Sequence, residues 1–163
     1  MSFKNKDKDK NSDRKKVILD TDVGYNTDAD DALALAYLLM RDDCDLLGVT
    51  TVGLHSSWRA ELAEVICNQM GYSEIPVFAG ADKPICNTPY WFNNPVSRWP
   101  KEAQPRPVRS YEPYSALQWL QETIRSFPGE ITLITIGQFT NLARLLLSDP
   151  ETSGLLKNVV SMG

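Results

Sequence analysis

Five aspartates crowd one short stretch near the start of the chain, and their spacing is the feature best suited to chemistry. The stretch reads DTDVGYNTDADD from residue 20 to residue 31. Its carboxylates are those of Asp20, Asp22, Asp28, Asp30 and Asp31. Carboxylates this close repel one another, so the arrangement costs stability unless a cation lies among them. Because hard oxygen ligands suit Ca²⁺ or Mg²⁺, the stretch predicts a metal site.

Helix capping is a simpler interpretation of the same stretch. One of the last three aspartates could cap the following helix and favour its positive end, while the first two form a solvated turn. Capping needs a single aspartate, so it leaves the excess unexplained. An EF-hand fits poorly, because counting from Asn26 puts Asp31 rather than glycine at the sixth position and Tyr37 rather than glutamate at the twelfth.

Alternating apolar and polar segments indicate the elements that would position these carboxylates. Residues 17–19 form a short apolar run typical of a buried strand, which ends at Asp20. Residues 32–40 are apolar nearly all round, so we expect this helix to be buried on more than one side. Further strands are predicted at 45–52, 75–79, 131–136 and 158–162, and further helices at 56–70, 115–126 and 140–147.

This alternation predicts the fold class, an α/β fold with an open, mostly parallel sheet and helices on both faces. Ligands bind such sheets at the carboxyl ends of the strands, which is where the aspartates begin. The exception is residues 81–110, which are rich in Pro, Trp and Asn. A segment this long could be a flap over a ligand, or an extension packed on the surface or at a subunit contact.

Composition narrows the class of protein. The 163 residues suffice for one domain with a hydrophobic core, and 42% are apolar and 23% charged. A net charge of −4 argues against general binding of nucleic acid or of an anionic membrane, which needs a basic face. No apolar run reaches the ~18 residues of a membrane span. Residues 1–15 are mostly Lys, Asp, Asn and Ser, so we expect a disordered charged tail rather than a signal peptide, followed by one α/β domain at 16–163.

Three widely spaced cysteines indicate the compartment. Cys44, Cys67 and Cys86 form no CxxC pair. We interpret them as free buried thiols of a reducing environment. Together with the absence of a signal sequence, they predict a cytoplasmic protein.

Several segments, taken in order, resemble the inosine-uridine nucleoside hydrolase family. ILDTDVG…DADDALALA resembles the family signature, in which DTDxG precedes a DD pair that opens a helix. GVTTVG (48–53), IPVFAGADKP (75–84) and TIGQFTNLA (135–143) are similar to its second strand, its third-strand segment and its TGPLTN element. NVVSMG is similar to the strand before the MGG turn of the family. The resemblance covers residues 16–163 and implies the Rossmann-like fold of this family, cut after the fifth strand.

The resemblance also implies an activity, which is hydrolysis of the N-glycosidic bond of nucleosides to free base and ribose. Asp22 corresponds to the aspartate that binds Ca²⁺ and acts as general base on the metal-bound water. Asp31 corresponds to the second carboxylate ligand of the calcium ion. Asp30 corresponds to the residue that holds the ribose hydroxyls. Ile136 stands where the family offers a backbone carbonyl to the metal.

Supporting positions follow from the same resemblance. Asp20 would be a supporting carboxylate beside the metal ligands, and Asn141 would buttress the loop that carries the carbonyl. The spacing after Asp22 is longer than in the family signature. It therefore stays open which of Asp28, Asp30 and Asp31 reaches the metal.

Two further departures shape the expectations. His55 stands where the family has an asparagine that contacts the ribose, so it is either a sugar contact, a leaving-group acid or a surface histidine. The family continues for another half, which supplies a further aspartate ligand, a histidine and sugar-binding asparagines. We therefore expect the chain to be the N-terminal part of a longer protein, a homodimer or homotetramer when full length.

Two rival functions remain. A haloacid-dehalogenase-like phosphatase also begins with DxD, with Asp20 as nucleophile, Asp22 as acid/base and Mg²⁺ as cofactor, and with Thr135 and Lys157 in its later motifs. That interpretation leaves the later aspartates and IPVFAGADKP unexplained. The other rival is a homologue that binds calcium or sugar without catalysis.

Overall fold

A computed structural model describes residues 14–24, 29–86 and 115–162. The strands, in chain order, are β1 (Lys15–Thr21), β2 (Cys44–Thr51), β3 (Val77–Ala79), β4 (Ile131–Thr135) and β5 (Asn158–Ser161). The helices are α1 (Asp30–Met40), α2 (Ser56–Gln69), α3 (Ser115–Ser126), α4 (Thr140–Ser148) and α5 (Pro150–Ser153).

All pairings in the sheet are parallel, and the strand order is β3-β2-β1-β4-β5. From β1 the chain moves outward through β2 to β3, and it then crosses to the other side of β1 to form β4 and β5. The winding therefore reverses between β1 and β4, which is the kind of switch point where open α/β sheets bind ligands. The predicted α/β fold class is confirmed.

Alternate side chains of β1 point into two separate cores. Val17 and Leu19 belong to the core that α1 and α2 cover, whereas Ile18 belongs to the core that α3 and α4 cover. Ile18 and Leu19 are fully buried. Helices thus cover both faces of the sheet, as predicted.

The predicted segments agree with the observed elements apart from their ends. β1 extends beyond 17–19 on both sides and includes Asp20, and α1 begins two residues earlier than predicted, at Asp30. The sequence did not predict α5. Residues 1–13 lie outside the described residues, so the charged tail stays a prediction. The same holds for residues 87–110 of the predicted loop.

The prediction that α1 is buried on more than one side is wrong. Leu33, Tyr37 and Met40 are 68%, 55% and 55% exposed, while the buried positions Asp31, Leu35 and Leu39 form a single stripe. The reason is that α1 lies on one face of the sheet, so its outer side meets no other described element.

The cysteines also differ in part from expectation. Cys44 and Cys67 are buried, as predicted, but Cys86 is exposed because it follows β3 in the segment that leaves the sheet. Within the described residues, no helix combines the length and the apolar character that crossing a membrane requires.

Candidate active site

The carboxyl ends of β1, β2 and β4 lie side by side at one edge of the sheet. The backbone hydrogen bonds between these strands continue past the last residues of the strands. The Val52 amide donates to the Thr21 carbonyl (3.1 Å), and the Ile136 amide donates to the Asp20 carbonyl (2.9 Å). These bonds hold the segments after β1, β2 and β4 side by side. Asp22, which follows β1 directly, therefore lies at the switch point.

Asp20 is the buried carboxylate beneath this edge, with 1% of its surface exposed. Its Oδ1 accepts hydrogen bonds from Thr50 Oγ1 (2.5 Å) and Asn141 Nδ2 (2.7 Å). Among the described residues its Oδ2 is buried without a hydrogen-bond partner. Burial raises the pKa of Asp20 to about 7 despite these two bonds, and the charge of Asp22 adds to the rise.

Asn141 ties the strand ends together. Besides Asp20, its Nδ2 donates to the Thr51 carbonyl (3.0 Å), and its Oδ1 accepts from the Ala81 amide (2.9 Å). A Cβ on Gly80 would lie 2.3 Å from Asn141 Nδ2, so only glycine fits there. Asn141 therefore supports the edge through β1 and β2. Its predicted support of the loop at residue 136 stays a prediction.

Gly137 brings the segment after β4 against Asp22. A Cβ at this position would lie 2.7 Å from the Asp22 amide nitrogen and 3.0 Å from Asp22 Oδ1. It would also lie 2.9 Å from Val52 Cγ1. Ile136, whose carbonyl is the predicted metal ligand, is the residue before this close contact.

The DD pair opens α1, and its two members differ in environment. Asp31 is 9% exposed and its Oδ1 accepts a hydrogen bond from Thr21 Oγ1, which itself accepts from the Val23 amide (3.1 Å). Asp30 is exposed. The N-cap residue is Ala29, without a side-chain cap. Neither member of the pair is the N-cap, since both lie inside the first turn, where their charges still favour the positive end of the helix as that interpretation expected.

Electrostatics links these carboxylates. Burial raises the pKa of Asp22, the charge of Arg59 lowers it, and the charge of Asp30 raises it. Burial also raises the pKa of Asp31, a hydrogen bond from Thr21 lowers it, and the charges of Asp22 and Asp30 raise it. A divalent cation would relieve this repulsion.

The oxygen atoms available here are of the kind that a hard cation binds, but they are too few to complete its coordination. Within 14–24, 29–86 and 115–162, no three acidic, histidine or cysteine side chains converge as a metal site. Two carboxylates, from Asp22 and Asp31, and one carbonyl, from Ile136, are oxygen donors of the kind calcium takes. Calcium takes about six to eight oxygens, so further ligands would have to complete the set.

His55 lies in the turn between β2 and α2, as the N-cap residue of the helix. Its backbone is left-handed (φ 61°, ψ 44°), a conformation that costs a non-glycine residue about 1 to 2 kcal/mol. Its ring stacks on Trp58, with 4.1 Å between ring centroids. Arg59, one residue further, acts on Asp22 through its charge, so this turn borders the site.

Most predicted positions therefore share one edge of the sheet, although their roles stay predictions. The positions that meet there are Asp20, Asp22, Asp31, Ile136 and Asn141. Asp30 is exposed at the start of α1, and His55 borders the site from α2. Asp28 lies outside the described residues.

Sequence reasoning missed Thr21 and Arg59. Thr21 lies inside the DTD stretch, and its hydroxyl between two acidic residues was a usable signal for a hydrogen bond to one of them. Arg59 is 6% exposed, and its Nε donates to the Leu54 carbonyl (3.1 Å). No sequence pattern separates Arg59 from an exposed helical arginine.

Comparison with known proteins shows which sequences this chain resembles. The family model described as inosine-uridine preferring nucleoside hydrolase matches residues 17–163. The chain is 28% identical over 153 residues to uridine nucleosidase 1 of Arabidopsis thaliana, covering 91% of this chain and 44% of that protein. It is 29% identical over 151 residues to the pyrimidine-specific ribonucleoside hydrolase RihA of Salmonella arizonae, covering 90% and 47%. The chain thus spans about half the length of these relatives.

Solved structures share the fold. The purine-preferring ribonucleoside hydrolase from Gardnerella vaginalis superposes with a TM-score of 0.72 at 23% identity, over 91% of this chain and 48% of that one. The plant nucleoside hydrolase PpNRh1 superposes with a TM-score of 0.70 at 24% identity, over the same shares. At these identities the structural similarity shows only the fold. The family model, however, matches nearly the whole chain. The chain therefore belongs to the inosine-uridine preferring nucleoside hydrolase family.

Proposed function

We propose that this protein cleaves the N-glycosidic bond of nucleosides to free base and ribose. The observation that carries the proposal is the placement of Asp22 and Asp31 at the switch point, where burial raises the pKa of both carboxyls. Family membership supports the reaction class. Relatives whose names specify uridine or pyrimidine nucleosides make uridine the first substrate to test.

We propose Ca²⁺ as the cofactor, held by the carboxylates of Asp22 and Asp31 and the backbone carbonyl of Ile136. The mutual repulsion of the carboxylates supports this assignment. When bound, the ion would supply positive charge that favours deprotonation of water and would bind ribose hydroxyl oxygens.

The residues of the chain supply the other parts of the reaction. Asp22 acts as general base on the attacking water, and a raised pKa brings a carboxylate nearer to the range in which it takes a proton at neutral pH. Water attacks C1′ of a ribose whose transition state is oxocarbenium-like, the C1′–N bond breaks, and the departing base takes up a proton from solvent. Asp30 and His55 bind sugar hydroxyls and orient the ring for attack. Asp20, which is buried at the end of β1, supports the site through its hydrogen bonds to Thr50 and Asn141.

The burial of Asp20 argues against the phosphatase alternative. A nucleophile has to reach the substrate, whereas Asp20 is 1% exposed and accepts two hydrogen bonds. Thr135, which that alternative needs, donates its hydroxyl hydrogen to Ser161 Oγ (2.9 Å). The non-catalytic homologue becomes an outcome of the assay below. Assembly as a homo-oligomer and a cytoplasmic location stay predictions.

The test is reducing-sugar release from a panel of purine and pyrimidine nucleosides. We expect release with calcium, loss on chelation and recovery when calcium is added back. A phosphate monoester run in parallel should give no turnover. Release that chelation leaves unchanged would remove calcium from the proposal, and no release from any nucleoside would support the non-catalytic homologue.

A further inference from the structure

The turn between β2 and α2 holds a strained residue. Among the described non-glycine residues, His55 alone has a positive φ, at 61°. Strain of this kind persists only where the surroundings over-determine the backbone, and it clusters at functional sites. The contacts that hold His55 in place are therefore informative.

A carboxylate from the segment after β3 fixes the residue next to His55. Asp82 Oδ1 accepts a hydrogen bond from the Ser56 amide (2.8 Å) and lies 2.7 Å from Ser56 Oγ. The same hydroxyl lies 2.9 Å from the Gly80 carbonyl. On the other side, Thr51 Oγ1 donates to the Ser56 carbonyl (2.7 Å). Ser56 is fully buried, so it anchors the turn to the ends of β2 and β3.

A second contact fixes the His55 ring. The Trp58 indole stacks on the imidazole, with 4.1 Å between centroids and 13° between planes. The amides of Trp58 and Arg59 donate to the His55 carbonyl (2.9 and 3.2 Å). Backbone and ring are thus restrained independently, the first through Asp82 and the second through Trp58.

We propose that Asp82 and Trp58 are positioning residues for His55, which hold its imidazole in the orientation that contacts the sugar. The proposal rests on the proposed function, in which His55 is a substrate contact. Asp82 accepts the amide hydrogen of the residue directly after the left-handed His55, so it restrains the backbone on that side of the histidine. Arg59, whose charge lowers the pKa of Asp22, donates its Nε hydrogen to the Leu54 carbonyl of this turn (3.1 Å), which places the turn beside the carboxylates.

The single histidine of the chain gives a readout that does not depend on activity. In a protein without a histidine tag, the imidazole proton resonances should be displaced upfield by the indole ring current. Trp58→Leu should abolish the displacement, whereas Trp58→Phe should keep part of it. Asp82→Ala should move or split the resonances, and Lys83→Ala, at an exposed neighbour, should leave them unchanged.

Unchanged resonances in both Asp82→Ala and Trp58→Leu would overturn the proposal. If Asp82→Ala fails to fold, Ser56→Ala serves instead, because it removes one donor to Asp82 and keeps the backbone donor. It should displace the resonances from their wild-type positions, because it weakens the same contact with Asp82. Asp82→Asn keeps an acceptor for the Ser56 amide and should rescue the wild-type positions.

Kinetics then separates positioning from packing. His55→Ala and Asp82→Ala should each lower kcat/KM, roughly tenfold to a hundredfold, and the double variant should lose no more than His55→Ala alone. Additive losses would overturn the proposal, since they would mean that Asp82 acts independently of His55. If the wild type hydrolyses no nucleoside, the proposed function fails. The resonances still decide whether Asp82 and Trp58 position His55.

Discussion

Gly137 lies so close to Asp22 that one added methyl group would displace the proposed general base. The Cβ of an alanine would lie 2.7 Å from the Asp22 amide nitrogen and 3.0 Å from its Oδ1. A third contact, 2.9 Å from Val52 Cγ1, falls on the core, but two of the three fall on Asp22 at the end of β1. At the residue scale, we therefore expect activity to be more sensitive than stability to a change at this position.

We predict that Gly137→Ala lowers kcat/KM about a hundredfold, the scale of a 1 Å displacement of a reacting group. Gly154→Ala is the matched control, because its Cβ would lie 3.4 Å from the nearest atom. Rates of base release and thermal unfolding of both variants check this. Wild-type activity in Gly137→Ala would contradict the placement of Asp22.

The thiols give a second prediction at this scale. Burial, assisted by the charge of Glu64, raises the pKa of Cys67 to about 12, so its thiol is protonated at pH 8. Cys44 is also buried, and Cys86 is exposed. An alkylating reagent at pH 8 should therefore label one thiol in the native protein, three after unfolding, and none in native Cys86→Ser. Two or more labels on the native protein would contradict the assigned burial.

Sequence predicted the residues of the site better than their environments. The DTD spacing and the DD pair were enough to place Asp22 and Asp31 at the end of a strand and the start of a helix. The environment of Asp20 depends on Asn141, which donates to its Oδ1 from 121 residues away along the chain. Asp82 likewise acts on the turn 26 residues before it. Contacts of this range leave no local pattern.

At the element scale, the short helix α5 depends on one cap. Asp149 Oδ1 accepts from the Thr152 amide (3.1 Å), and its Oδ2 accepts from Gln121 (3.2 Å) and from Arg125. Burial alone would raise the pKa of Asp149, but these hydrogen bonds and the charge of Arg125 hold it below the ordinary value of 3.8. The ionised carboxylate therefore stabilises this end of the molecule.

The sign of the pH effect follows from that depressed pKa. The native state binds fewer protons than the unfolded state, so the contribution of Asp149 is present above about pH 4 and is lost as the pH falls through the folded pKa. We predict that Asp149→Ala destabilises the protein at pH 7. It should also flatten the acid limb, which is the fall in the free energy of unfolding as the pH decreases. Denaturant unfolding between pH 3 and 7 measures both, and an equally steep limb in Asp149→Ala would contradict this assignment.

Gly48 allows α3 to pack on the sheet. A Cβ there would lie 2.6 Å from Trp119 Cη2 and 3.0 Å from the Pro76 carbonyl. We predict that Gly48→Ala lowers the free energy of unfolding by about 1 to 3 kcal/mol, as overpacking does. Adding Trp119→Leu should recover part of the loss, and this non-additivity in urea titrations is the check. Equal stability of wild type and Gly48→Ala would contradict the packing.

The elements themselves were largely predictable, with two instructive failures. Short apolar runs identified the strands because buried strands leave that pattern regardless of context. The predicted burial of α1 was wrong because an apolar helix surface does not show which elements pack against it. The helix α5 was missed because the four residues PETS are too short for any helical period.

At the scale of the whole molecule, the site exists because the winding reverses between β1 and β4. Alternation of strands and helices predicts a parallel sheet, but it does not predict the order of strands. The reversal brings Asp22 from the N-terminal part and Gly137 from the C-terminal part of the chain into contact. The family resemblance implied a Rossmann-like fold, whereas periodicity alone did not.

The most direct test of the central claim compares base release by the wild type, Asp22→Asn and Asp45→Asn in phosphate-free buffer with calcium. Asp45 lies at the opposite end of β2 from the site, so it is a matched control. Uridine and inosine are the substrates. We predict wild-type rates for Asp45→Asn and a fall of about a hundredfold or more for Asp22→Asn, the scale of losing a general base. Base release by Asp22→Asn at the wild-type rate, or no release by the wild type, would contradict the account.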